Sequence, residues 1–64
     1  MVIDGKKIRQ LRREDGITIN RLCAIAEISK SMLCFIETNR RRANIDIIAR
    51  LADYFGVTID YLRR

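Results

Sequence analysis

Ser31, Cys34, Phe35 and Thr38 recur at spacings that place them on one side of a helix, and three consecutive arginines, Arg40, Arg41 and Arg42, follow directly. Hydroxyl and thiol groups give and take hydrogen bonds, and guanidinium groups hold anions in a planar fork. Such a surface suits non-covalent recognition. The balance of the whole chain points the same way: 13 Lys and Arg against 8 Asp and Glu leave a formal charge of +5 on 64 residues. That excess favours a polyanion, either nucleic acid or an anionic membrane surface.

Bond-making chemistry is poorly served. The chain has no His and only two cysteines, Cys23 and Cys34. A Ser/His or Cys/His nucleophile pair is therefore excluded, no nucleophile, base and orienter come together, and the chain is not expected to be an enzyme. Zinc needs about four clustered nitrogen or sulfur ligands, so no metal is expected. No cofactor or small-molecule ligand is evident. Two cysteines are too few for a secreted disulfide scaffold, which leaves reduced thiols in the cytoplasm as the expectation. No apolar run approaches the roughly 18 residues of a membrane span, and none carries the flanks of a signal peptide.

The elements that position these groups read as helical throughout. Alternating apolar runs and Asn-Gly hairpin signals are missing, while short apolar sets recur at three- and four-residue spacing. Asp4 can cap a first helix from Gly5 to about Glu14, with Ile8 and Leu11 inward, and Gly16 stops it. Thr18, Ser29 and Thr58 each cap a further helix. Each has an apolar staple across the cap: Ile17 with Leu22, Ile28 with Leu33, and Val57 with Leu62. Asn44 caps the fourth helix, expected to bury Ile45, Ile48, Leu51, Ala52 and Phe55 and to end at Gly56. The expectation is a single all-α domain over residues 1–64, a compact bundle of five short helices.

The informative segment runs from Thr18 to Glu37. Two short helices separated only by Glu27 and Ile28 must cross steeply, because so short a link does not allow antiparallel packing. Helices 2 and 3 thus form a helix-turn-helix. Cys23, Ala24 and Ala26 are small where the two meet, and Leu33 and Ile36 face the shared core, opposite Ser31, Cys34, Phe35 and Thr38.

Those residues carry a resemblance. Ile8-Arg9-Gln10-Leu11-Arg12, Gly16-Ile17-Thr18, the run from Ile28 to Glu37, Ile45-Asp46, and the run from Phe55 to Leu62 resemble, in order and spacing, the Xre family of Cro and lambda-repressor-like domains. The resemblance covers nearly the whole chain. It implies a lambda-repressor-like fold whose third helix enters the major groove of double-stranded DNA, a docking mode known for the phage repressors. It further implies base contacts from Lys30, Ser31, Cys34 and Phe35, and phosphate contacts from Thr18, Ser29 and Thr38; Arg40, Arg41 and Arg42, next to that helix, are expected to hold phosphates as well, with plain solubility as the other reading of three like charges in a loop. An ion pair between Arg12 and Glu37 would fix the third helix. The implied function is a sequence-specific transcriptional regulator, most simply a repressor, in the cytoplasm and associated with the nucleoid through DNA.

Departures from the family pattern accompany the match. Ile19 stands where the family usually has Gln. Glu27 stands in a turn that usually holds Gly, which requires positive φ at a cost of order 1 kcal/mol. Asn39 and Ala43 replace Gly and Pro in the arginine loop.

One domain of this size reads few base pairs, so a homodimer on a palindromic operator is expected. Tyr54, Ile59, Tyr61 and Leu62 are the expected dimer surface, since so short a last helix cannot bury them all, while core packing stays open for Tyr54, Tyr61 and Leu62. The residues leave other readings open. A polar outward face can be plain solvation, Lys6, Lys7, Arg9 and Arg13 can be the solvated side of the first helix, and Cys34 can be a polar filler or a redox sensor. The same fold could serve as a protein-interaction module, such as a small antitoxin or coactivator-like domain, and the chain could be the DNA-binding piece of a longer regulator.

Overall fold

Five side chains begin five helices. Asp4, Thr18, Ser29, Asn44 and Thr58 all have extended backbone and accept a first-turn N–H, from Lys6, Arg21, Met32, Ile47 and Tyr61 respectively. Each bond satisfies an amide that the helix itself cannot reach, an effect of about 1 kcal/mol. The structure, a computed structural model, describes residues 2–40 and 42–63. The helices are α1 (Gly5–Asp15), α2 (Ile19–Ala26), α3 (Lys30–Glu37), α4 (Ile45–Phe55) and α5 (Ile59–Leu62). No helix is long and apolar enough to cross a membrane among the described residues.

The helices stop where the sequence predicts. Gly16 and Gly56 close α1 and α4 at φ 75° and 69°, and Glu27 closes α2 at φ 58°. A bulky residue in that left-handed region is strained, and α4 reaches across to the strained turn. The Arg50 guanidinium donates to the Ala26 carbonyl at 3.0 Å and lies 3.4 Å from the Glu27 carboxylate. Asn39 takes φ 60°, and its side-chain oxygen accepts the Gly5 N–H at 2.8 Å. Gly5 has a second role, because a Cβ there would overlap the backbone oxygen of Ile36. The absence of a side chain lets the start of α1 sit directly on the end of α3.

The core is a single apolar cluster. Ile8, Leu22, Ala26, Leu33, Ile36, Ile48, Leu51 and Leu62 are buried together with Ile17, Cys23, Ile47 and Ala52. Helix α1 packs on α3 and α5, and α2 packs on α3 and α4. The inward stripe of α4 differs from expectation. Ile45 is 51% exposed while Ile47 is buried, because Ile45 is the first residue after the cap and the stripe facing α2 runs through Ile47, Ile48, Leu51 and Ala52. Ala24, expected between α2 and α3, is exposed, and Cys23 and Ala26 fill that contact.

The last helix also departs from expectation. Leu62, assigned from sequence to a dimer surface, is fully buried in the monomer core. The Asp4 N–H donates to the Leu62 carbonyl at 2.7 Å, and Ile3 and Arg63 form an isolated antiparallel bridge. Pairing the two ends of the chain in this way holds Leu62 inward.

Candidate nucleic-acid interface

Helix α3 presents two unlike sides. Leu33 and Ile36 are almost wholly buried, whereas Lys30, Ser31, Cys34 and Thr38 are exposed. Phe35 is half-buried rather than fully outward. The Thr38 hydroxyl donates to the Cys34 carbonyl at 2.8 Å, which ties its oxygen back onto the last turn of the helix. Ser29 and Thr18 hold the starts of α3 and α2. Their hydroxyl oxygens accept amides at 3.1 and 3.2 Å, so their own O–H groups remain available as donors. Free first-turn amides and the positive end of the helix dipole give both helix starts an affinity for negative charge.

Beyond α3, Arg40 and Arg42 are exposed, and neither forms an ion pair among the described residues. The Arg40 amide donates to the Phe35 carbonyl at 2.8 Å, so the loop leaves α3 by a defined path. Arg41, also assigned to phosphate from sequence, lies outside the described residues.

The orientation of α3 relative to α1 rests on Arg12 and Glu37. The Arg12 Nε donates to Glu37 Oε2 at 2.9 Å and its Nη2 to Oε1 at 3.3 Å, with the side chains 14% and 7% exposed. The hydrogen bond to Glu37 holds the Arg12 guanidinium more firmly protonated than an ordinary arginine, outweighing the opposing effect of burial. A two-pronged bond of this kind fixes direction as well as distance.

Of the two thiols, Cys23 is buried and Cys34 exposed. Burial pushes the Cys23 thiol up, with Glu37 adding to the effect. The described residues include no cluster of His, Cys, Asp or Glu that could hold a metal ion.

Other structural residues carry no signal in a single sequence. The Tyr54 hydroxyl donates to Asp15 at 2.7 Å, joining α4 to the end of α1. Lys7 donates to the Tyr61 carbonyl at 2.9 Å and lies 5.0 Å from the centre of its ring. Tyr54 and Tyr61 are 38% and 49% exposed, Ile59 is half-buried, and Leu62 is buried. The four residues assigned to a dimer surface are therefore not equivalent.

A helix-turn-helix family profile matches residues 8–62, a span that includes both crossing helices, the turn and the helices that support them. The chain belongs to the Xre, or lambda-repressor-like, helix-turn-helix family. This helix-turn-helix chain is 38% identical over 53 residues to the HTH-type transcriptional regulator RamB of Mycobacterium tuberculosis, a match covering 83% of the chain and 11% of RamB. It is 25% identical over 57 residues to a putative HTH-type transcriptional regulatory protein of Methanocaldococcus jannaschii, covering 89% of the chain and 18% of that protein. The chain thus spans less than a fifth of either relative.

Solved structures of helix-turn-helix proteins superpose closely on it. The clp gene regulator ClgR of Corynebacterium glutamicum matches with a TM-score of 0.82 at 21% identity, covering 89% of this chain and 61% of that one. A SinR protein/SinI protein complex matches with a TM-score of 0.81 at 27% identity, covering 95% and 58%. The restriction-modification controller protein C.AhdI of Aeromonas hydrophila matches with a TM-score of 0.79 at 21% identity, covering 88% and 85%.

Proposed function

We propose that this domain is the DNA-reading part of a transcriptional regulator, acting most simply as a repressor, with α3 in the major groove of a duplex. The observation that carries this reading is the outer side of α3. Lys30, Ser31 and Cys34 are exposed on α3, the starts of α2 and α3 are capped, and Arg40 and Arg42 follow α3 with no ion pair among the described residues. Lys30 suits guanine acceptors, Ser31 bonds either way, and Phe35 suits a thymine methyl. Thr18, Ser29 and the arginine loop, Arg41 included, take phosphates, and Thr38 joins them when its hydroxyl turns from the Cys34 carbonyl to the duplex.

The two sets of contacts act differently. Base-edge contacts discriminate sequence, at about 1–3 kcal/mol each, whereas phosphate contacts bind all sequences and release counterions. Fluorescence anisotropy on a selected duplex and a shuffled one, across a salt series, separates them. Lys30→Ala and Ser31→Ala should erase preference at one or two base pairs. Arg42→Ala should weaken both duplexes alike and lower the salt slope by about one. Loss of preference in Arg42→Ala with retention in Lys30→Ala reverses the roles, and no duplex binding at all favours a protein-interaction module.

The regulator reading includes a symmetric homodimer on a palindromic operator with half-sites about 34–36 Å apart. Its supporting surface is Tyr61, Tyr54 and the exposed part of Ile59, without Leu62. Sedimentation equilibrium on a palindromic duplex should give two protomers per duplex, and one protomer contradicts the dimer.

A further inference from the structure

We propose that Arg9 on α1 is an additional DNA contact that seats one backbone phosphate in a concavity between α1, the start of α2 and α3. This rests on the reading of α3 as the groove-facing helix, and it adds α1 to the interface.

The concavity holds about 170 Å³ and is lined by Arg9 and Arg12 of α1, Ile19 of α2, and Cys34, Glu37 and Thr38 of α3. Arg12 and Glu37 neutralise one another in the floor through their paired hydrogen bonds. Arg9 then brings one uncompensated positive charge to the wall. It forms no hydrogen bond or ion pair among the described residues. Its own helix cannot supply a partner, because the neighbours at helical spacing are Lys6, Arg12 and Arg13. The nearby carboxylate of Glu14 accepts from Gln10 at 3.2 Å instead. Three cations along one side of α1, Lys6, Arg9 and Arg13, repel one another at rest, and a phosphate relieves that repulsion.

The rim indicates the source of the anion. Cys34 and Thr38 belong both to this concavity and to the outer side of α3, so an anion seated here lies against the surface assigned to the duplex. A phosphate of the same duplex fits that geometry. Ile19, 37% exposed in the lining, offers no side-chain donor, and the Thr38 hydroxyl is given to the Cys34 carbonyl, which leaves the charge on Arg9 as the side-chain attraction.

The experiment is a scan of single methylphosphonate substitutions along a selected duplex, each removing one phosphate charge, with wild type, Arg9→Ala and Arg9→Lys. Thermal unfolding confirms that the variants are folded. Wild type should lose affinity at several positions. Arg9→Ala should bind about three- to tenfold more weakly with a salt slope lower by about one, and at one phosphate the methylphosphonate should cost it nothing further. Arg9→Lys should recover the slope. If wild type binds and Arg9→Ala shows the same affinity and profile, the Arg9 contact is wrong while the regulator reading stands. A uniform loss with no single silent phosphate also overturns the contact, because it reports only the general field of the domain. Failure of wild type to bind any duplex overturns the regulator reading first.

Discussion

Arg12 and Glu37 stand 25 residues apart in sequence and meet through two hydrogen bonds, of 2.9 and 3.3 Å, at the joint between α1 and α3. Each is mostly shielded from water, so neither charge is well solvated alone. Removing one partner leaves the other buried and unmatched, at a cost of about 3 kcal/mol. That is a large share of what a domain this small can muster. Arg12→Ala and Glu37→Ala should each lower the unfolding midpoint sharply in a denaturant titration. The double variant should be less destabilised than the sum of the two, and strictly additive losses contradict the coupling.

The turn between α2 and α3 sets two opposed effects at one residue. Glu27 is held at φ 58°, which costs roughly 1–2 kcal/mol for a residue with a Cβ. Its ion pair with Arg50 is largely exposed and contributes about 0–1 kcal/mol. The strain outweighs the pair, so Glu27→Gly should raise stability by about 1 kcal/mol. Arg50→Ala should lower it, because the Ala26 carbonyl loses its donor. A destabilised Glu27→Gly shows that the pair dominates.

Tyr54 links stability to alkaline pH. Its hydroxyl donates to the Asp15 carboxylate, and this bond raises its pKa above the ordinary tyrosine value. The unfolded chain ionises near pH ~10, so the stabilisation is complete below that pH and is lost as pH rises through the higher folded value. Ultraviolet titration should show a tyrosine transition above the ordinary range that Tyr54→Phe or Asp15→Asn removes. A transition unchanged in Asp15→Asn contradicts the assignment.

The five helix starts were legible because capping is local: an Asp, Ser, Thr or Asn and a bond two or three residues on settle each boundary. The same holds for the stops at Gly16 and Gly56 and for the strained Glu27. Ile47 was not legible, and for Leu62 the sequence offered both a staple on Val57 and a dimer surface. Whether an apolar residue in the last turn faces the core depends on the Asp4 to Leu62 hydrogen bond, a pairing between chain ends with no local signature. The outer face of α3 could be drawn from helical spacing alone. The half-burial of Phe35 could not, nor could the concavity that Arg9 shares with α3, since both depend on how neighbouring helices cross.

The two cysteines should behave oppositely. Cys23 is buried with its thiol pushed up, and Cys34 is exposed on the outer side of α3. A thiol reagent at pH 8 should label Cys34 quickly and leave Cys23 until the domain unfolds. Bound duplex should slow Cys34 labelling at least tenfold, in line with burial of that face. Equal labelling with and without duplex places Cys34 outside the interface.

The most direct test of the central claim is a nuclear magnetic resonance titration of the labelled domain with a selected duplex at moderate salt, following every backbone amide. The largest shifts should fall on Lys30, Ser31 and Cys34, on the helix starts at Thr18 and Ser29, and on the arginine loop, with smaller changes in α4. Shifts centred on α5 with α3 unmoved, or no shifts with any duplex, contradict the claim that α3 reads DNA.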